Sequence, residues 1–430
     1  MSEGLAFLAT CDLVALVRGR ALRKDSVLVS EKTVGWVPAD ISLSAFGSIE
    51  EPNPFGSLGD LRLVADPSTE VSLSTIAEVG RPLSVFLANQ VLPDGSPWDC
   101  DLRTHAQRSI AELNSRYGID LVASFEHEFV LVDPFTAEGS PFGLDSFRLA
   151  EPFGSDLFES LAANGLEPEN WLAEYGAGQF EITVRPAPAM VAADRAILLR
   201  EIVRDVARIH GKRASFSPLP KIDGVGNGVH VHLSLYKDGE PVTYDSTQPG
   251  GISHLASTAF AGILEHAAAL QAWTAPSQIS SYRLKPHRWS SGGAFAAVQD
   301  REALLRICPL VKIGSGDPIQ SFNVEYRAAD ATANPWVVIS VLTRALIAGL
   351  DAGKPISKIY TLDDPATADS VPTLPNSLEE AISELLNDVT VLSWFSPDLL
   401  EAHLGIRRNE ARELAELTPS EKCERYFRVY

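Results

Sequence analysis

Along the first hundred residues, short runs of Val, Leu and Ile alternate with Gly, Pro, Ser and Asp, as in Gly35-Trp-Val-Pro-Ala-Asp40 and Glu51-Pro-Asn-Pro-Phe-Gly56. This punctuation predicts a small strand-rich domain with long loops over residues 1–97, ending at the turn-forming Pro93-Asp-Gly-Ser-Pro97. From residue 98 to 430 the period changes. Leu102, Ala106, Ile110, Leu113 and Tyr117 recur at helical spacing, and Gly118 supplies a stop. Further helices are expected over 190–210, closed by Gly211, and over 254–272. Asn334-Pro335 suits a cap followed by proline at the first helical position, opening an apolar helix from Trp336 to Leu350. Ser377 and Glu380 have capping-box spacing at the head of a segment over 377–393.

Four segments alternate with period two and carry ligand-type side chains on their polar faces. Glu126 and Glu128 share one face of Leu121–Leu131, and Gln179, Glu181 and Thr183 share one face of Gln179–Val184. His230, His232 and Ser234 oppose Val231 and Leu233, while Glu325 and Arg327 oppose Val324 and Tyr326. His127 falls on the opposite face from its two glutamate neighbours and is expected in the core or bracing a ligand from behind. A solvated sheet face mixes both signs of charge. Clustered Glu and His with almost no Lys would repel unless a cation neutralised them, and carboxylate oxygens with one or two imidazoles favour Mg²⁺ or Mn²⁺ over structural zinc.

Charge sharpens this picture. The 430 residues hold 36 Lys plus Arg against 56 Asp plus Glu, a formal net charge of −20. That excess, with no sustained basic run, argues against nucleic acid as a partner. Against this background Ser281-Tyr-Arg-Leu-Lys-Pro-His-Arg288 and the later Arg301 and Arg306 form a basic stretch between carboxylate-bearing strands, suited to clamping phosphate or carboxylate. Divalent metal plus arginine describes phosphoryl transfer from a metal nucleotide. No G-x-x-x-x-G-K-[ST] loop is present, so the chemistry is not that of a P-loop enzyme. Four scattered cysteines, Cys11, Cys100, Cys308 and Cys423, suit a reducing cytoplasm. Acids at Glu3 and Asp12 spoil a signal-peptide pattern. Ser340, Thr343 and Arg344 interrupt the apolar helix, which is read as core and not as a membrane span.

In order and spacing together, Glu126-His-Glu128, Glu174-Tyr-Gly-Ala-Gly-Gln-Phe-Glu181, the stretch Pro220–Ser234, Ser281-Tyr-Arg283, Asp300-Arg301 with Arg306, and Glu325-Tyr-Arg327 with Asp330 and Asn334-Pro335 resemble the glutamine synthetase superfamily from about residue 95 to the end. The resemblance implies an α+β chain: a small N-terminal β-grasp-like domain and a large catalytic domain whose curved antiparallel sheet forms a funnel. It implies one metal held by Glu128, Glu174 and Glu181, a second held by Glu126, His230 and Glu325, and thus two or more Mg²⁺ or Mn²⁺ per subunit. His232, Ser234 and Arg306 match nucleotide-binding positions. Arg301 matches a catalytic phosphate-binding arginine, and Arg283 and Arg327 match residues that grip glutamate. ATP then activates the γ-carboxyl of glutamate as an acyl phosphate, which an amine displaces. Homo-oligomeric rings of six, or stacked rings of twelve, are also implied, with active sites shared between neighbours.

The chain departs from the family pattern on the amine side. Glutamine-forming members place an acid on the flap that follows the Tyr-Lys-Arg motif, where this chain reads His287-Arg-Trp289. The loop that helps hold the glutamate amino group becomes Val225-Gly226-Asn-Gly-Val-His230. Of the N-terminal acids, Asp40 is a loose match to an ammonium-site carboxylate, with Asp60 and Asp66 as rivals. Replacing a carboxylate by tryptophan weakens an ammonium site and offers a wall for an alkyl or aryl amine, unless Trp289 only packs the flap against the body. These features are similar to γ-glutamylpolyamine, γ-glutamylmethylamide or γ-glutamylanilide synthetases. Lys285 and Arg288 weigh against a bulky polycation. The alternatives are a glutamine synthetase using ammonia, a ligase with another acyl substrate, since the Asn equivalent at the glutamate amino group is lost, and a catalytically silent structural or regulatory relative; five clustered carboxylates weigh against the last.

Overall fold

The early Gly and Pro punctuation resolves, among the described residues, into six strands in one sheet. The computed structural model describes residues 4–28, 33–73, 82–132, 139–314, 316–367 and 370–430. Across the first sheet the order is Val17–Arg23, Leu5–Cys11, Leu83–Val91, Leu61–Ala65 and Val34–Trp36, with Val71–Leu73 also pairing with Leu83–Val91. Leu5–Cys11 and Leu83–Val91 run parallel, the one parallel pair in this sheet among the described residues.

Among the described residues the second sheet has eleven strands, centred on Val324–Tyr326, Val229–Lys237, Asp120–Val132, Gln179–Val184 and Pro168–Ala173. These central strands pair antiparallel, as expected. One edge departs from expectation: Gly293–Val298 runs parallel to Ala303–Ile307 and to Ile359–Tyr360. The apolar face of Asp120–Val132 buries Leu121, Ala123, Phe125, Phe129 and Leu131 and is covered by the helix Ala189–Ile209. His127 belongs to that face. It is 1 % exposed, with its ring near Phe125 and Phe216, and burial drives its pKa down to about 3.

The helix Pro335–Ala352 is apolar enough to cross a membrane by composition, yet 72 % of it is buried inside the protein. Asn334 starts it by accepting the N–H groups of Trp336 and Val337, and its amide reaches back to the carbonyls of Cys11 and Asp12. It crosses the helix His254–Glu265 at Gly262 and Gly349, where a Cβ would lie 2.0 Å and 2.4 Å from opposing backbone oxygens, so only glycine permits this approach. The first sheet is joined through Arg103 to the helix Ala189–Ile209, which covers the second. The Arg103 guanidinium bonds Asp66, Asn89 and Asp194, and Asp194 also accepts from the indole of Trp336. Asp66 is therefore part of this buried junction and not a free acid for an amine.

Candidate active site

Strand register assembles the polar face. Glu128 pairs with Glu181, Glu126 with His230, and Glu325 with both His232 and Arg306. Opposed positions on antiparallel strands bring side chains within about 5 Å at Cβ, so one stripe across four strands gathers four glutamates and two histidines. Glu174 joins from the loop after Pro168–Ala173, where its N–H bonds Gln179 O at 2.9 Å.

His230 sits between the two carboxylate groups expected from the sequence. Its Nδ1 lies 3.2 Å from Glu126 and 3.5 Å from Glu325, and its Nε2 lies 3.9 Å from Glu128. The set whose donor atoms fall within 4.8 Å of one another is Glu126, His232 and Glu325. His232, which the resemblance places beside the nucleotide, thus converges with this group, its Nε2 lying 3.2 Å from Glu126. Its Nδ1 faces Asn323 Oδ1 at 2.8 Å and Cys308 Sγ at 3.9 Å. Ser234 is buried and donates to Phe322 O at 3.0 Å. The thiol of Cys308, assigned no role from the sequence, also lies 4.0 Å from Glu325.

The electrostatics describe a site made for cations. Burial, together with the charges of Glu126, Glu128 and Glu174, raises the pKa of Glu181 to about 9. Glu174 is raised by burial and by Glu128. Despite burial, Glu325 is lowered to about 2, because His230, Arg327 and His232 surround it. Its carboxylate is gripped by Arg306 at 2.7 Å and by Arg327. Protons and guanidiniums thus neutralise a face whose donors, carboxylate oxygen and imidazole nitrogen, fit a hard divalent cation.

Beside this stripe lies a cleft lined by Glu128, Gly226, Gly228, Arg283, Arg288 and Trp289 among others. Glu128 Oε2 accepts the Gly228 N–H at 2.9 Å and lies 3.3 Å from the Gln179 amide, which also bonds Gly226 O and Asn227 Oδ1. A Cβ at Gly226 would lie 2.6 Å from Arg283 Cγ, so this loop and Arg283 pack as one piece. Arg283 is buried and donates through Nη2 to the carbonyls of Ala328 and Ala329, both at 2.8 Å. Its Nε and that of Arg306 are buried without a partner among the described residues. Arg301 is exposed. Trp289 is 69 % exposed, so it does not pack the flap against the body. Sequence reasoning missed Glu302, whose carboxylate oxygens accept the N–H groups of His287 and Trp289.

The sequence profile described as glutamine synthetase, catalytic domain, matches residues 99–426, and that of the glutamine synthetase N-terminal domain matches residues 3–98. The chain belongs to the glutamine synthetase family. It is 33 % identical to the gamma-glutamylpolyamine synthetase of Streptomyces coelicolor, over 88 % of this chain and 83 % of that protein. It is 29 % identical to the glutamine synthetase of Thermus thermophilus, over 90 % and 88 %. Among solved structures, a novel glutamine synthase homolog shares 36 % identity and superimposes with a TM-score of 0.93, covering 100 % of this chain and 99 % of that one. GmaS in complex with ADP shares the fold at a TM-score of 0.81 and 21 % identity, covering 97 % and 95 %.

Proposed function

We propose that this chain joins the γ-carboxyl of glutamate to an organic amine through a γ-glutamyl phosphate. An ATP-dependent ligase forming a C–N amide bond is the activity of its family, and the similarity to a gamma-glutamylpolyamine synthetase supports the amine-ligase branch. The observation that carries the amine assignment is at the flap. The exposed Trp289 lines the cleft, and the nearby acid, Glu302, directs both of its oxygens to backbone N–H groups of the flap.

Two or more divalent cations, Mg²⁺ or Mn²⁺, would be held by Glu128, Glu174 and Glu181 and by Glu126, Glu325 and the two imidazoles of His230 and His232; bound there, they would offset the charge of the ATP phosphates and the transferring phosphoryl group. Arg306 and Arg327, freed from Glu325 by such a cation, would turn toward phosphate and glutamate, and Arg301 would meet the γ-phosphate from the exposed side. Arg283 would orient glutamate against Gly226. Ser234, bonded to Phe322 O, would brace His232 near the nucleotide. Trp289 excludes water and supplies apolar area to the amine substituent, while Lys285 and Arg288 disfavour a second positive charge close to the flap. A cytoplasmic homo-oligomeric ring of six or twelve completes the reading, supported by family membership and by four free cysteines.

Phosphate release measured with ATP, glutamate and a panel of amines tests it. Release is expected with one or a few alkyl or aryl amines at lower KM than ammonium. Equal or better use of ammonium would make the chain a glutamine synthetase, and no release with any pair would make it a silent relative.

A further inference from the structure

One side chain, Glu302, holds the flap backbone at two points. Glu302, in the turn ahead of the strand Ala303–Ile307, accepts His287 N–H on one carboxylate oxygen at 2.9 Å and Trp289 N–H on the other at 2.7 Å. Both residues lie in the left-handed region, with φ of 65° and 53°, a conformation disfavoured for any residue with a Cβ and retained only where the surroundings impose it. A carboxylate accepting two amide N–H groups is such an imposition, because hydrogen bonds to a charged acceptor are the stronger kind. Gly292 completes the fit: its N–H bonds Glu302 O at 2.8 Å, and a Cβ there would lie 2.9 Å from Glu302 Oε2. The carbonyl of Trp289 is taken by Arg327 Nη2 at 3.0 Å. Both backbone polar groups of Trp289 are thus committed, and only its indole remains available to the cleft.

We propose that Glu302 is a positioning residue for amine selectivity: it holds His287-Arg288-Trp289 in the turn that presents the indole as a preformed wall of the amine site. The proposal rests on the reading of Trp289 as that wall. The acid beside the amine site here is turned to the flap backbone, one N–H on each oxygen. Preorganisation of this kind lowers the ordering cost of substrate binding, so its loss is read in the KM for the amine.

The experiment uses the full-length enzyme and the variants E302Q, E302D, W289A and E302Q/W289A. It measures kcat and KM for the best-used amine of the panel, ammonium included, with ATP and glutamate saturating, and then the KM of ATP and of glutamate, each varied with the other substrates saturating. Glutamine at 302 keeps one acceptor and turns an N–H donor toward a backbone N–H. E302Q is expected to raise the amine KM about 10-fold, the scale of one lost charge-assisted hydrogen bond, with the KM values for ATP and glutamate unchanged. E302D, which keeps the charge on a shorter arm, is expected to fall between. The double variant is expected to match W289A alone, because Glu302 acts through Trp289. Trypsin cleavage after Arg288 should accelerate in E302Q at unchanged Tm. Additive effects, equal shifts in all three KM values with a lowered Tm, or unchanged amine KM and cleavage would each overturn the proposal. A wild-type preference for ammonium would remove the organic-amine reading, while the coupling measured on ammonium and the cleavage rate would still decide the role of Glu302.

Discussion

The metal-type stripe and the flap lie side by side in one cleft but are built differently. Glu126, Glu128, Glu181, His230, His232 and Glu325 stand on strands whose positions are fixed by ladder pairing over long stretches. Trp289 stands on a short turn whose conformation depends on a few hydrogen bonds from Glu302 and Arg327. The first arrangement gives donor positions that no single side chain controls. The second gives a surface that one or two substitutions can reshape. In the proposed function, phosphoryl chemistry common to every amine would reside on the first, and the choice of amine on the second.

The strongest way to break this division is Glu325→Gln. It weakens a donor and leaves Arg306 and Arg327 without a full counter-charge, so phosphate release should fall at least about 100-fold, the upper range for disturbing groups around a metal. The fall should be equal for all amines; a change in amine preference would mean that the two halves are not separable. Trp289→Ala should do the reverse. The kcat/KM for the preferred organic amine is expected to drop about 10-fold, as for a lost apolar pocket contact, with ammonium use nearly unchanged in the same assay. The smallest effect is on stability. Millimolar Mg²⁺ or Mn²⁺ at about 100 times its Kd should add about 2.7 kcal/mol and raise Tm in the wild type and in W289A, with reversal by EDTA. The Tm of E325Q should respond less, as scanning fluorimetry would show.

Much of the stripe was legible because period-two alternation alone assigns faces. The strands expected over 121–131 and 179–184 are observed as Asp120–Val132 and Gln179–Val184, with His127 and Phe125 on the buried side. Alternation could not say that His232 joins His230 beside Glu325, because that follows from pairing His232 opposite Glu325, a register between strands some ninety residues apart. The helix expected over 254–272 is split at His266, whose ring reaches Asp388 at 2.6 Å, a tertiary contact that local periodicity does not contain. Likewise the segment over 377–393 stops at Asp388, which caps a separate turn. The capping box at Ser377 is half formed: Ser377 accepts the Glu380 N–H, but the Glu380 carboxylate turns to Asn376. Glu302 was invisible for a similar reason. It reads as a surface acid until the turn fifteen residues earlier is folded against it.

The alternation that places the glutamates and histidines also limits how such a site can change over evolutionary time. Inserting one residue between Glu126 and Glu128 would send one of them into the core with Phe125 and Phe129 and bring an apolar neighbour to the cleft. The stripe can therefore drift only by substitution at fixed length. The flap, closed at Gly292 and tied at two points, can gain or lose residues without moving a strand. New amine preferences in a chain of this architecture should accordingly arise first as length and sequence changes between residues 285 and 292, on an unaltered sheet.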